Sequence, residues 1–202
     1  MVIAVMCLAG CSTPAPTARQ EAKPETAPEV FQVNLNTSKG NVLLEIHRDW
    51  APVGADHFYT LVKTRFYDGA RFFRIVRNFV VQFGINGNPK TNQIWSNANL
   101  RDDPVKEHNR KGTLTYATAG PNTRTTQMFI NLKDNLALDR DGFAPIGKVI
   151  SGMDVVESFY DSYGDMPPRG QGPDPSKIEA EGNEYLQNRF PRLDYINKAT
   201  IQ

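Results

Sequence analysis

Apolar and polar residues alternate along much of the chain after residue 30. Residues 31–35 and 42–46 are apolar at every second position and flank a polar turn at 37–40, which predicts a β-hairpin with one buried face. Alternation with a period of two is typical of a half-buried strand. Further strands are predicted at 72–76, 79–83, 112–119, 127–131, 143–149 and 193–201.

Helical patterns are confined to three places. Pro52 opens a stretch with an apolar helical face, and proline is favoured in a first turn. Residues 151–160 and 176–190 each begin with a capping-box signature, and Pro191 ends the second of them. Residues 85–111 are polar and rich in turn residues, which predicts a long surface loop. The pattern as a whole predicts a mainly β fold, a closed antiparallel barrel capped by two helices, with an extra C-terminal helix.

The first residues of the chain have a different character. Residues 1–10 are apolar but too short to span a bilayer, and they look like the hydrophobic part of a secretory signal peptide. Residues 8–11 read Leu-Ala-Gly-Cys and resemble the lipobox of bacterial lipoproteins, although no Lys or Arg precedes the apolar run. On that resemblance Cys11 becomes the first mature residue and carries the acyl chains of a membrane anchor. The alternative is a chance match within an ordinary signal peptide.

A tether is predicted between this signal and the folded part. Residues 11–30 are rich in Pro, Ala, Thr and Glu, so they cannot bury enough apolar surface to fold. The folded domain is expected to span residues 31–202. Both interpretations of the N-terminus place the protein outside the cytoplasm, and the lipobox predicts lipid anchoring to a bacterial membrane, in the periplasm or at the cell surface.

The composition excludes several classes of function. The formal net charge of the 202 residues is +1, with acids and bases interspersed, so nothing resembles the basic stripe of a nucleic-acid-binding protein. Cys7 and Cys11 precede the predicted domain, which excludes an internal disulfide, a zinc–thiolate site and a cysteine nucleophile within it. The three histidines lack the spacing of a metal site, and no P-loop, dinucleotide fingerprint or Gly-x-Ser-x-Gly elbow occurs. We therefore expect no metal and no cofactor.

One charged residue interrupts the most apolar stretch of the predicted domain. Arg74 lies within residues 72–84, where period two would place it on one face with Phe72 and put Phe73 and Ile75 on the other. Burying an unpaired guanidinium costs several kcal/mol, so Arg74 should be paired or lie at the mouth of an apolar pocket. The alternative is an edge-strand arginine whose head group reaches water.

Several short motifs then follow one another in a fixed order. They are FFRIV at 72–76 with Phe79 and Gln82, ATAGPNT at 117–123, QMFI at 127–130, NLALD at 135–139 and IGKV at 146–149. In this order and at this spacing they resemble the cyclophilin family of peptidyl-prolyl isomerases, from about residue 31 to residue 159. The resemblance implies an eight-stranded antiparallel barrel with a helix over each end and an active site on its outer face.

The resemblance also implies roles for single residues. Arg74 matches the family's catalytic arginine, and Gln82 is expected to hold that arginine or the peptide backbone. The other matching positions line the proline pocket and the peptide groove: Phe79, Val80, Phe129, Leu138 and Phe143 at the pocket, and Ala117, Thr118 and Gln127 along the groove.

Several features depart from the family's pattern, among them the following. Phe73 stands where a histidine is usual, and residues 83–85 break a common Gln-Gly-Gly sequence that begins at Gln82. The 163–192 segment is longer than in compact members. It is predicted to pack against the barrel, with binding of a partner as the alternative.

The residue types fit the chemistry of prolyl isomerisation even when the family resemblance is set aside. Rotation about an X-Pro bond breaks amide resonance, against a barrier of about 18–20 kcal/mol. It needs no nucleophile, metal or proton acceptor. An apolar pocket can hold the proline ring while a guanidinium donates to the proline carbonyl and toward the imide nitrogen, whose lone pair localises in the transition state.

The leading hypothesis is therefore a lipid-anchored isomerase, monomeric, acting on proline-containing segments of folding exported proteins. One alternative is a proline-peptide-binding module or scaffold with negligible turnover, and another is an envelope lipoprotein that uses the fold as a spacer. Geometry discriminates between them. The isomerase requires the Arg74 guanidinium within hydrogen-bond reach of Gln82 or Gln127, facing a pocket with apolar walls.

Overall fold

The computed structural model describes residues 25–202, and its dominant element is one eight-stranded antiparallel sheet in the order β3-β4-β6-β5-β7-β2-β1-β8. The strands are β1 Val30–Thr37, β2 Gly40–His47, β3 Arg74–Val76, β4 Val80–Phe83, β5 Thr113–Tyr116, β6 Met128–Asn131, β7 Pro145–Ser151 and β8 Ile196–Ile201. The helices are α1 Pro52–Lys63, α2 Pro89–Trp95, α3 Ala137–Arg140, α4 Met153–Glu157, α5 Pro175–Glu181 and α6 Asn183–Arg189. The predicted mainly β fold with eight antiparallel strands is confirmed. Within the described range, no helix combines the length and apolar character needed to cross a membrane.

The sheet curls so that its two ends approach each other. Residues just before the edge strands β3 and β8 form a single bridge between Arg71 and Tyr195, and the Gly69 N–H donates to the Ile196 carbonyl at 2.8 Å. These contacts join the segment before β3 to the start of β8, and they do not form a ladder between β3 and β8. The structure is therefore a curled half-barrel, and complete closure stays a prediction.

The hairpin predicted from the first alternation forms in register. Val33 of β1 pairs with Leu44 of β2, and the alternate apolar residues of both strands are buried in the main core. Helix α1 adds Phe58 and Leu61 to that core and contacts β2, β7 and β8. Burial of alternate side chains on one face is what period-two patterning requires.

The amino end of α1 is capped from a distant loop. Ala51 has no side chain that could cap it, and the Asp103 carboxylate accepts the N–H groups of Val53 and Gly54 at 3.0 and 2.8 Å. Arg124 donates to the same carboxylate at 3.1 Å, and both side chains are buried. A carboxylate at a helix amino end is favourable, and Arg124 neutralises its charge.

Residues 85–111 contain a helix that the sequence does not predict. Asn88 caps α2 by accepting the Lys90 N–H, and Pro89 lies in its first turn. Asn92 is buried and exchanges two hydrogen bonds of 2.8 Å with the backbone of Asn86. Trp95 at the end of α2 packs against the main core. Because these polar contacts and one aromatic side chain hold α2 without a continuous apolar face, hydrophobic periodicity does not detect it. The one-turn helix α3 is likewise absent from the prediction.

The predicted C-terminal helix is divided into α5 and α6. Gly182 lies between them at φ 66°, and the Asn183 N–H donates to the Gly87 carbonyl at 2.8 Å. A Cβ at Gly182 would overlap that carbonyl, so the close approach requires glycine. The division follows from tertiary packing, whereas the helical pattern itself is continuous.

The helices of the 163–192 segment build a second apolar core. Its buried members are Phe73, Ile85, Ile178, Leu186 and Leu193. The segment therefore packs against the sheet as predicted.

The prediction that Phe72 shares a face with Arg74, and Phe73 with Ile75, is wrong. Phe72 and Ile75 both lie in the main core, and Phe73 lies in the second. Regular alternation starts only at Arg74, where β3 begins.

His57 on α1 should make stability depend on pH. Burial, together with the nearby charge of Arg124, lowers the pKa of His57 from 6.5 to about 4, and its Nε2 has no hydrogen-bond partner within the described residues. The unfolded chain therefore binds a proton that the folded chain excludes between these pH values. The free energy of unfolding should fall as pH drops from 7 to 4, by at most about 3 kcal/mol from this group.

Urea unfolding at pH 7 and pH 4.5 checks this prediction. His57→Gln should flatten the decline, whereas His108→Gln, which removes an exposed histidine, should retain it. An unchanged slope in His57→Gln would show that carboxylates alone cause the pH dependence.

Candidate active site

Arg74 and Gln82 lie opposite each other on neighbouring strands. The register of β3 and β4 pairs these two residues, and Arg74 Nη1 donates to Gln82 Oε1 at 3.0 Å. Gln82 Nε2 donates in turn to Gln127 Oε1 at 3.0 Å. Arg74 is only 8% exposed, so the alternative of an arginine reaching bulk water is wrong. The polar chain fixes the guanidinium at the outer face of the sheet.

The charge of Arg74 is neutralised by a residue that sequence reasoning missed. Asp165, from the 163–192 segment, accepts from Arg74 Nε at 2.6 Å and from Nη2 at 3.4 Å. The hydrogen bond from Arg74 lowers the pKa of the Asp165 carboxyl. The two residues are 91 positions apart, and no local pattern links them.

The predicted pocket residues surround one cavity of about 380 Å³ beside the guanidinium. Phe129 packs edge-on against Phe143 with ring centroids 5.8 Å apart, and the Arg74 guanidinium lies 5.7 Å from the centre of the Phe79 ring. The predicted residues lining the cavity are Arg74, Phe79, Val80, Gln82, Ala117, Thr118, Phe129, Leu138 and Phe143.

Three further lining residues were not predicted: Asp141, Met166 and Arg169. The last two belong to the 163–192 segment. A neighbouring cavity of about 250 Å³ shares Gln82 and Met166 with the first and adds Gln127. The groove therefore continues past Gln127, and Met166 lies along both parts of it.

Buried asparagines hold the walls of the cavity. Asn109 Nδ2 donates to Asp139 Oδ1 and to the Phe143 carbonyl, both at 2.8 Å. Asn135 Nδ2 donates to the Phe79 carbonyl at 2.9 Å and to Asn131 Oδ1 at 2.7 Å. Because buried amide groups with satisfied hydrogen bonds act as a rigid network, the walls carrying Phe79 and Phe143 are fixed relative to each other. The sequence motifs included Asn135 but gave no sign of this network.

The arrangement suits binding and electrostatic stabilisation rather than acid–base chemistry. The cavity lining contains no histidine, cysteine or lysine, and its one carboxylate belongs to Asp141. Of the five N–H groups of a guanidinium, Arg74 uses three on Gln82 and Asp165. One N–H on Nη1 and one on Nη2 remain for a ligand. Residues 25–202 contain no group of three or more His, Cys, Asp or Glu side chains that could hold a metal ion.

Comparison with known proteins identifies the family. The family model described as cyclophilin type peptidyl-prolyl cis-trans isomerase/CLD matches residues 31–178. The chain belongs to this family. The match confirms the resemblance seen in the motifs and identifies the chain as a cyclophilin-type peptidyl-prolyl cis-trans isomerase.

Similar proteins come from distant organisms. A peptidyl-prolyl cis-trans isomerase of Acinetobacter baylyi is 37% identical over 138 residues, covering 63% of this chain and 70% of the relative. One from Schizosaccharomyces pombe is 36% identical over 128 residues, covering 62% and 82%. A cyclophilin type peptidyl-prolyl cis-trans isomerase of Cryptosporidium parvum, crystallised in the presence of the dipeptide Ala-Pro, has a similar fold. Its TM-score is 0.61 at 19% identity, covering 85% of this chain and 98% of that chain.

The asparagine network should support both stability and binding. In Asn109→Ala, the Phe143 carbonyl and Thr115 hydroxyl lose buried partners, so unfolding free energy should fall by about 2–4 kcal/mol. Affinity for an Ala-Pro peptide should also fall, because the Phe143 wall loosens.

Urea unfolding and peptide titration by NMR measure the two effects. The matched control is Asn36→Ala, since the Asn36 side chain makes only exposed hydrogen bonds and its loss should change stability by no more than about 0.5 kcal/mol. Equal effects of the two substitutions would contradict the proposed role of the network.

Proposed function

We propose that this isomerase accelerates X-Pro rotation in exported proteins that are still folding, with Arg74 as its catalytic donor. The observation that carries the proposal is the paired guanidinium beside a cavity with phenylalanine walls. The Arg74–Gln82 contact and the phenylalanine walls satisfy the geometry required of an isomerase. A spacer lipoprotein gives no reason for a buried arginine in this setting.

The cavity supplies the binding part of the mechanism. A proline ring between Phe79, Phe129 and Leu138 would be held by apolar contacts while the preceding carbonyl swings round. An apolar environment disfavours the polar planar amide relative to the twisted form. Holding the ring in place also restricts the peptide's motion on binding, so that less entropy is lost in the rotation step.

The two uncommitted N–H groups of Arg74 supply the electrostatic part. One would donate to the proline carbonyl, and the other would point toward the imide nitrogen, whose lone pair localises as resonance is lost. This interaction is stronger in the transition state than in the ground state, as catalysis requires. Reaching roughly a thousand turnovers per second means lowering the barrier by about 7 kcal/mol.

The groove is proposed to bind extended proline-containing peptide segments. Ala117 and Thr118 line both cavities, and Gln127 lies beside Gln82. A peptide could run from the proline pocket past these residues, with its backbone polar groups meeting the glutamine amides. We propose that the protein acts as a monomer, since one chain supplies the whole groove.

Arg74→Ala should abolish most of the catalysis. Loss of a donor aimed at developing charge typically lowers the rate by about 100- to 1,000-fold. The measurement is the cis–trans exchange rate of a short Ala-Pro peptide, by NMR, with the wild type and the variant.

The control is Arg77→Ala, because Arg77 belongs to the same hairpin but is exposed and pairs with Asp161. It should retain wild-type activity. If the wild type binds the peptide without accelerating exchange, the binding-module alternative replaces the isomerase.

Location outside the cytoplasm is proposed from the N-terminal sequence, which lies outside the described residues. The apolar residues 1–10 and the lipobox-like residues 8–11 support export followed by lipidation of Cys11. The end predicted for the tether, residue 30, is too late, because Ala27 is buried in the main core and β1 begins at Val30. A tether over residues 11–24 would hold the isomerase domain a short distance from the membrane. Clients would then be proteins that emerge unfolded after export.

Cys11→Ser should abolish lipidation. In bacterial cells given radiolabelled palmitate, the wild-type protein should carry the label and sediment with membranes, and Cys11→Ser should do neither. Cys7→Ser, which removes the other cysteine, should behave as the wild type. Label on Cys11→Ser, or its loss in Cys7→Ser, would contradict the lipobox.

A further inference from the structure

The carboxylate on Arg74 comes from outside the barrel strands. Asp165 precedes α5 in the 163–192 segment, and its two oxygens contact Nε and Nη2 of the guanidinium. We propose that Asp165 is a positioning residue for catalysis, so that the 163–192 segment forms part of the active site. This inference rests on the proposed role of Arg74.

Asp165 is itself held in place. Its Oδ1 accepts the Met166 N–H at 2.8 Å, and its carbonyl accepts the Gly172 N–H at 2.9 Å. A Cβ at Gly170 would overlap the Asp165 carbonyl, so the backbone wraps closely around this residue. The carboxylate is therefore preorganised before any substrate binds.

The second apolar core anchors the segment that carries Asp165. Ile178 and Leu186 are buried against Phe73, whose neighbour in the chain is Arg74. Tyr163 packs edge-on against Phe190 with ring centroids 5.0 Å apart. Residues on both sides of Asp165 are thus fixed to the sheet that carries the guanidinium.

The pairing with Asp165 leaves Arg74 with N–H groups that can bind a substrate. Asp165 occupies the Nε–H and one N–H of Nη2, and Gln82 occupies one N–H of Nη1. These three contacts hold the guanidinium from two sides, while one N–H on each terminal nitrogen stays unused. A buried arginine without Asp165 would lose its counter-charge, and side chains in that state move toward solvent.

Met166 and Arg169 extend the same arrangement to the substrate groove. Both line the cavity beside Arg74, and Met166 also lines the neighbouring cavity. The segment thus contributes Asp165, which pairs with Arg74, and Met166 and Arg169, which line the cavity. Asp165 contacts the side of the guanidinium away from Gln82. A segment that only blocked the site would not need a carboxylate there.

The test compares three substitutions at Asp165 in the full chain. Asp165→Ala should lower kcat/KM for an Ala-Pro peptide by about 10- to 100-fold, since misplacement of a catalytic group by about 1 Å costs as much. The loss should lie mainly in kcat, with the peptide Kd changed by no more than about threefold. Asp165→Asn should lose an intermediate share, and Asp165→Glu should restore part of the rate.

NMR of the Arg74 side chain provides a measurement that would not change if Asp165 only stabilised the fold. The Nε–Hε signal of Arg74, identified by its loss in Arg74→Lys, should exchange slowly with water in the wild type. The exchange should become faster in Asp165→Ala. Gly170→Ala, which displaces Asp165 without altering its carboxylate, should change both the signal and kcat in the same direction.

Asp161→Asn is the matched control. Asp161 also pairs with an arginine of the β3–β4 hairpin, namely Arg77, but that pair does not line the cavity. This variant should keep wild-type kcat and the wild-type Arg74 signal. If it loses as much activity as Asp165→Asn, the effect is a general loss of packing and the proposal is overturned.

The outcomes separate this inference from the proposed function. A wild type that does not accelerate exchange contradicts both. An active wild type with an equally active Asp165→Ala contradicts this inference alone. A faster Asp165→Ala also overturns it, since Asp165 would then restrain the arginine and not position it for catalysis. Reduced kcat together with a less protected Nε–Hε signal supports it.

Discussion

The organisation of the site follows from the cost of burying one guanidinium. Arg74 lies on a strand whose neighbours are apolar and is only 8% exposed, so its charge and its N–H groups must find partners within the protein. Gln82, opposite it in the register of β3 and β4, supplies one of them. Asp165 supplies the counter-charge. The two N–H groups of the guanidinium that remain unused are available to a substrate.

One departure from the family's pattern takes part in the packing beside this site. Phe73 stands where the family usually has a histidine, and it is buried in the second core with Ile85, Ile178, Leu186 and Leu193. Phe73 and Ile85 provide apolar surface on which the 163–192 segment packs. That segment in turn brings Asp165 to Arg74. Phe73 and the longer segment are therefore linked by direct packing next to the active site.

The walls of the cavity depend on polar interactions inside the fold. Asn109 and Asn135 connect the backbones of Phe143 and Phe79 through buried hydrogen bonds. Asp103 similarly caps α1 from a loop about 50 residues away and is neutralised by Arg124. Such groups are expensive to leave unpaired, so each network keeps its neighbouring backbone in one arrangement. Rigid walls suit a site that acts by orientation and a fixed donor.

The sequence by itself predicted the antiparallel strands and, through the resemblance to cyclophilins, most of the residues of the pocket. Alternation at 31–35 and 42–46 reports directly on burial because side chains of a strand point to opposite faces. A charge within an apolar run marked Arg74, and Gln82 follows on the next strand. These features are local or belong to a recognisable order of motifs, so one chain is enough to see them.

Only the tertiary structure decided the partners that meet across long separations. Asp165 reaches Arg74 over 91 residues, the predicted C-terminal helix divides at Gly182 where it meets the Gly87 carbonyl, and α2 is held by the buried Asn92. No periodicity encodes these contacts, since each depends on which surfaces the folded chain brings together. A charged or polar side chain shows in the sequence that it needs a partner, and the fold determines which residue that partner is.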